Sequence, residues 1–375
     1  MKGNKIAIVA GQGGYNDMGL VRSCGEAGMQ VVLIVPEDTV IPIHKSRYVT
    51  ECIRSAANDK ERFINIVRDV YERHDGVRIV LFPASDLYAC MIDDAWAALS
   101  HYALVPNAQG RLRQLMDKHI MTEIAESSGL CVPRSLKVDL SLVLCPEFGL
   151  PCIIKPLRSI SGEKGDIRVC RTSDELSEAV EQYRKKGFYD VLLQEFVYSR
   201  GQEEVAVTGV CTPSGIIVTY GIIHKIRIRG NGSTVFARFE PEVDKDLQTK
   251  IRNFMKSTGY IGIFDIEFLH NSSGYHFIEC NFRNGAYGYA VTSAGFNMPE
   301  VFACDDESVI WQSRDIRRIT FMEERSDLLN MLEGVVSPLK WILDFVNTDT
   351  CLWWNWRDPA PLLRVPECIK KVFRK

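Results

Sequence analysis

Two strand-like runs, Gly262–Leu269 (GIFDIEFL) and a second beginning YHFIECNFR at Tyr275, flank the turn Asn271-Ser-Ser-Gly274. This hairpin constrains the chain more than any other stretch. Period-two alternation in the second run sends Glu279, Asn281 and Arg283 to one face and Ile278, Cys280 and Phe282 into a core. The first run carries Glu267 near a strand end. Two carboxylates and an amide oxygen aimed at one spot repel each other unless a cation lies between them. Hard oxygen donors in that number suit Mg²⁺, with Mn²⁺ the alternative ion. Arg283 then sits beside the metal, placed to neutralise an anion. Taken alone, a strand with two glutamates is equally a solvated face.

The first hundred residues alternate strand and helix. Lys5–Ala10 (KIAIVA), Gln30–Val35 (QVVLIV), Val77–Phe82 (VRIVLF) and Ala103–Val105 read as strands. Phe63, Ile66, Val67 and Val70 follow a capping-box pattern at Asn58–Glu61. Continuous apolar strands between helices imply a parallel sheet covered on both faces. The texture changes after about residue 112. A helix near Asp117 closes at Gly129, strand Cys152–Lys155 meets a Gly/Ser loop, and Thr172–Glu175 opens a second capped helix. From Val191 to Ile228 the chain reads as antiparallel strands turning at Thr212–Gly215, and Leu247, Ile251, Phe254 and Thr258 mark a further helix. The division implied is an N-terminal α/β domain at 1–112, a two-lobed core at 113–304 (113–190 and 191–304), and a C-terminal appendage at 305–375.

Composition excludes several classes. A formal net charge of −3 argues against nucleic-acid binding through bulk electrostatics. The twelve cysteines form no C-x-x-C pair, and Cys152 and Cys280 sit inside apolar strands, so reduced thiols of a cytoplasmic protein are expected. No signal peptide is legible, and no run of about 18 apolar residues suggests a spanning helix.

The pattern E-F-L followed by F-I-E-x-N-x-R resembles the metal-binding hairpin of the ATP-grasp superfamily over about residues 1–300. That resemblance implies an α/β and α+β architecture: an ATP-grasp fold behind an N-terminal parallel-sheet domain. It implies ATP and Mg²⁺ on Glu267, Glu279 and Asn281, with Lys118 and Lys155 on the ATP phosphates. Ser161 and Gly162 fall in the phosphate lid Ser159–Asp166. Gln194, Glu195 and Val197 match the strand that reads adenine, and Glu203 or its neighbour Glu204 matches the ribose carboxylate. Lys225 matches a lysine that contacts the transferred phosphate or the substrate, and it joins Arg283 as a catalytic candidate. Arg227 and Arg229 alternate with Lys225 and would line the same basic face. The stretch after Arg283 resembles D-aspartate ligase-like stand-alone ATP-grasp proteins, which puts Asn284, Tyr287 and Tyr289 in the acceptor pocket. Asp265 replaces an arginine of the D-alanine–D-alanine ligases and is expected to bind a substrate ammonium.

The implied reaction activates a carboxylate as an acyl phosphate and joins it to an amine, releasing ADP, on a small amino acid or peptide-like substrate. Bicarbonate activation, as in biotin carboxylase, and ATP binding without catalysis are the competing readings. Gly11-Gln-Gly13-Gly14 only partly matches a dinucleotide fingerprint, because Asn16 fills its third glycine position. Trp341, Trp353, Trp354 and Trp356 precede a basic tail (Lys370, Lys371, Arg374, Lys375). They either pack on the core or touch a protein or an anionic membrane surface. A homodimer is compatible with all of this.

Overall fold

The computed structural model describes residues 5–37, 39, 42–55, 59–74, 77–141, 149–157, 167–197, 203–230, 233–304 and 316–362. A five-stranded parallel sheet forms first, in the order β3-β2-β1-β4-β5, from β1 (Lys5–Ala10), β2 (Gln30–Val35), β3 (Val49–Arg54), β4 (Arg78–Pro83) and β5 (Ala103–Leu104). Alternation gives it two dry faces. Ala7, Val9, Val31, Leu33 and Phe82 belong to one core, and Ile6, Ile8, Val32, Ile34 and Leu81 to another. Burying each such aliphatic or aromatic side chain is worth about 1.5–3 kcal/mol. α1 (Tyr15–Glu26), α2 (Lys60–Arg73), α3 (Asp86–Asp94) and α4 (Trp96–Leu99) connect the strands. The cap of α2 is Asp59, which accepts from the Arg62 amide, one position later than the sequence pattern implied.

α5 (Leu112–Leu115) and α6 (Lys118–Ser127) lead to a four-stranded antiparallel sheet ordered β6-β9-β7-β8. Its strands are β6 (Ser135–Asp139), β7 (Cys152–Lys155), β8 (Arg168–Cys170) and β9 (Asp190–Glu195), with α7 (Ser173–Lys185) packed on it through Leu176, Ala179 and Tyr183. In α7 the Thr172 hydroxyl accepts from the Glu175 amide at 3.2 Å, and Glu175 accepts in return from the Arg171 amide at 2.6 Å.

The third sheet runs β14-β13-β10-β11-β12-β15-β16. It comprises β10 (Glu203–Cys211), β11 (Ile217–Arg229), β12 (Ser233–Glu240), β13 (Gly262–Asn271), β14 (Gly274–Asn281), β15 (Ile319–Met322) and β16 (Thr350–Cys351). α6 and α8 (Lys245–Thr258) cover one face through Met121, Ile251 and Phe254. α9 (Gly288–Ala294) and α10 (Met298–Cys304) join the other face to α1.

α11 (Glu324–Leu332), α12 (Pro338–Val346) and β16 follow β15, so the C-terminal stretch supplies the last two strands of this sheet. Trp353 is 1% exposed, whereas Trp356 is 83% exposed. The basic tail lies outside the described residues. Among the described residues no helix is long and apolar enough to cross a membrane.

Candidate active site

The β13–β14 register sets Glu267 directly opposite Glu279 and Asp265 opposite Asn281. Directly paired residues bring their Cβ atoms to about 4.5–5.5 Å, where like charges repel. The register slips after Glu267, pairing Phe268 with Phe277. Phe277 and Cys280 therefore enter the core and Ile278 is left half-buried, a correction to simple alternation. Lys225 on β11 reaches across β10. Its Nζ donates to Glu267 Oε2 at 2.6 Å and lies 3.5 Å from Glu204 Oε2. Burial works against this ammonium, but Glu267 and then Glu204 and Asp265 hold its pKa above the ordinary lysine value.

Arg283 leaves the end of β14 and donates from Nε to Asp86 Oδ1 at 2.6 Å and from NH2 to Asn281 Oδ1 at 3.2 Å. Burial opposes its charge, and the adjacent Asp86 carboxylate overrides it and raises the pKa. Asp265 is 1% exposed, and both of its oxygens accept from the Tyr287 hydroxyl at 2.8 and 2.7 Å. Burial, and then the Glu267 charge, push its carboxyl up to about 7.

On the other lobe, Lys155 at the end of β7 is buried and donates to Gln194 Oε1 at 2.9 Å. Burial, and then the neighbouring Lys118 charge, lower its pKa to about 8, with Glu279 opposing. The two lysines and Glu279 thus share one electrostatic environment. Lys118 opens α6 immediately after its cap, Asp117. Gln194 Nε2 donates to Ser135 Oγ at 2.9 Å. Glu195 takes both arms of Arg134 at 3.0 Å and its amide donates to the Arg134 carbonyl at 2.8 Å, while Val197 lies just beyond β9. Glu203 and Glu204 part company: Glu203 Oε2 accepts from His224 Nδ1 at 3.1 Å, while Glu204 faces Lys225. Ser161 and Gly162, with the rest of the expected lid, lie outside the described residues.

The structure does not gather the expected substrate residues on an open surface. Asn284, Tyr287 and Tyr289 are 2%, 2% and 3% exposed. Asn284 donates to the Gly285 carbonyl, and Tyr289 donates to Glu26 at 2.7 Å. Asp265 is likewise consumed by Tyr287. Arg227 grips Asp327 with two nitrogens at 2.8 and 2.6 Å and reaches Asp344 at 2.7 Å. Arg229 grips Glu333 at 2.8 and 2.6 Å. Both arginines therefore hold α11 and α12 rather than extending the basic face of Lys225. Asp86 had no place in the sequence reading, although Ser85-Asp86 directly after a strand is a helix-start signal.

Among the described residues no group of three or more His, Cys, Asp or Glu side chains is placed to hold an ion alone. Two carboxylates and one amide oxygen nevertheless fit Mg²⁺, which keeps few protein ligands and completes its shell with water and phosphate oxygens.

Residues 123–291 match the family model for the ATP-grasp domain, a span that includes Lys155, Lys225, Glu267, Glu279 and Arg283. Residues 123–291 are an ATP-grasp domain. The chain is 21% identical over 352 residues to D-aspartate ligase of Enterococcus faecium (strain Aus0004), covering 88% of itself and 82% of that protein. Its fold resembles the biotin carboxylase domain dimer of Hydrogenobacter thermophilus 2-oxoglutarate carboxylase, solved with MgADP, ADP and bicarbonate. The TM-score is 0.64 at 19% identity, covering 84% of this chain and 73% of that one. It also resembles L-amino acid ligase from Bacillus licheniformis, with a TM-score of 0.64 at 16% identity, covering 85% and 80%.

Proposed function

We propose that this chain is an ADP-forming carboxylate–amine ligase acting on a small amino acid or peptide-like substrate. The observation that carries the reading is the paired Glu267 and Glu279, with Lys225 on Glu267 and Arg283 on the neighbouring Asn281. Similarity to a D-aspartate ligase and an L-amino acid ligase supports the same class.

In this reading Lys118 and Lys155 hold the β- and γ-phosphates. The backbone at Glu195 and Val197, with Gln194, holds the adenine. Glu204, on the side of Lys225, serves the ribose in preference to Glu203. Glu267, Glu279 and Asn281 would hold Mg²⁺ (or Mn²⁺), which would supply charge neutralisation for the triphosphate. A substrate carboxylate oxygen attacks the γ-phosphorus and the bond to the β,γ-bridging oxygen breaks, giving ADP and an acyl phosphate. The amine nitrogen then attacks the acyl carbon, phosphate leaves, and the nitrogen loses a proton. Arg283 and Lys225 neutralise the transferred phosphoryl group and the tetrahedral oxyanion. Such a reaction needs ATP and fits a cytoplasmic enzyme.

The test is Glu279→Gln. ADP release should fall by at least about 10²-fold, the scale of losing a group that stabilises transition-state charge, while the circular dichroism spectrum is unchanged. Undiminished turnover by this variant would refute the assignment.

A further inference from the structure

Of the ten described cysteines seven are buried, Cys52 and Cys304 are half-buried, and Cys131 alone is exposed. Burial makes thiols inert, pushing Cys90 for example up to about 12. Cys131 differs in its neighbour as well as in its exposure. It lies on the crossing from α6 to β6, where its carbonyl accepts from the Phe277 amide at 2.8 Å and its backbone pairs with His276 of β14. That pairing sets Cys131 Sγ 3.3 Å from His276 Nδ1.

The turn between β13 and β14 fixes which imidazole nitrogen carries the proton. The Ser273 amide donates to Asn271 Oδ1 at 2.8 Å, which orients the Asn271 side chain with its oxygen toward the turn. Ser273 Oγ is 2.6 Å from that same oxygen, and two oxygens so close need a proton between them. The hydroxyl's own hydrogen supplies it. Ser273 Oγ therefore has only lone pairs to offer His276 Nε2 at 2.9 Å, so Nε2 carries the ring proton. The Nδ1 lone pair is left facing the Cys131 thiol. Burial, opposed by Glu195, holds His276 below the ordinary histidine value, which keeps the imidazole neutral and able to accept a proton. A nucleophile, a base within reach and a third group orienting that base are the arrangement by which proteins activate a thiol.

We propose that Cys131 is an activated thiol that takes small-molecule disulfides, forming a reversible mixed disulfide on the protein. The Cys131 sulfur attacks one sulfur of R–S–S–R while its proton passes to His276 Nδ1. The S–S bond of the reagent breaks, a Cys131–S–S–R bond forms, and R–S⁻ leaves and takes the proton from the imidazolium. The disulfide is itself the oxidant, so no other co-reactant is needed, and a free thiol reverses the exchange. No residue assigned to phosphoryl transfer takes part.

Thiol–disulfide exchange on the whole chain tests it. Cys145→Ser and Cys368→Ser are introduced first, because those two thiols lie outside the described residues. A dipyridyl disulfide, whose released thiopyridone absorbs, measures the rate at neutral pH. Oxidised glutathione followed by peptide mass mapping locates the adduct. One adduct should form, on Cys131, and dithiothreitol should remove it. The rate should exceed that of a peptide of residues 127–135 by at least about tenfold, a modest share of what a positioned base supplies. His276→Asn keeps a polar group near the Nδ1 position but no base, and should bring the rate down to that of the peptide. A second variant guards against misfolding. Ser273 is exposed on the turn and its amide keeps its bond to Asn271 whatever the side chain, so Ser273→Ala folds. With the Nε2 proton no longer held, it should react several-fold more slowly, and Ser273→Thr, which keeps the hydroxyl, should retain the native rate. A native rate no faster than the peptide's, or an unchanged rate in His276→Asn or Ser273→Ala, would overturn the proposal. So would an adduct on Cys304, which lies 3.0 Å from the Lys5 ammonium.

Discussion

Lys225 Nζ lies 2.6 Å from Glu267 Oε2, and only 2% of the lysine side chain is exposed. A buried ammonium thus offsets part of the repulsion that the Glu267–Glu279 pairing creates. Breaking a buried pair by removing one partner typically destabilises by about 3–5 kcal/mol, and the 18% exposure of Glu267 puts Lys225→Met at the lower end, near 3 kcal/mol. Millimolar Mg²⁺ should restore more stability to that variant than to the wild type, because ion binding to the folded state is a stabilising linkage. Thermal unfolding with and without Mg²⁺ reads both effects. Equal shifts in the two proteins would place the ion elsewhere.

Lys155 yields a pH dependence. Its pKa is depressed to about 8 from the ordinary lysine value of 10.5, by burial and then by Lys118, against Glu279, with Gln194 as its neutral hydrogen-bond partner. Between those two values the unfolded chain binds the extra proton, so this lysine makes stability rise with pH across that window. Nucleotide binding runs the other way. ATP needs the charged form, so affinity should fall as pH rises from 7 to 9, with proton uptake on binding near pH 8. Calorimetry in buffers of different ionisation enthalpy measures the uptake. Lys155→Met should bind ATP weakly and without this pH dependence.

Arg22 and Asp358 form an ion pair with both side chains fully buried, at 3.1 Å. Asp358 also accepts from Ser46 Oγ at 2.8 Å and from the Arg47 amide at 2.9 Å, while Arg22 donates to the carbonyls of Leu352, Trp353 and Asp358. Asp358→Ala strands a buried guanidinium and should destabilise by about 3–5 kcal/mol in urea unfolding. It should also speed proteolysis around residues 350–358. A loss under about 1 kcal/mol would mean that this clasp is dispensable.

The parallel sheet was legible because its central strands are apolar throughout, and the helices because Thr172 caps one apolar face and Leu247, Ile251, Phe254 and Thr258 repeat at helical spacing in another. β3 (VTECIR) and β6 (SLKVD) were not, since each is short and at least half polar, with too few apolar residues to stand out from a loop. β16 is two residues long and exists only through pairing with β15. The juxtaposition of Glu267 and Glu279 was readable because both, with Asn281, belong to one local hairpin, whose spacing survives without tertiary information. Its bulge was not, so Ile278 was set inward in place of Phe277. Asp86 lies 197 positions from Arg283, and the partners of Arg227 lie 100 and 117 positions away. No local pattern reports such pairings, which is why two structural arginines read as a substrate face.

The central claim is tested most directly by ADP release from the purified chain with Mg-ATP across amino acids, dipeptides and bicarbonate, singly and in acid–amine pairs. The account predicts release that requires a carboxylate and an amine together, with ADP, phosphate and the coupled product in equal amounts. Release driven by bicarbonate alone, or ATP binding with no ADP under any pairing, would contradict it.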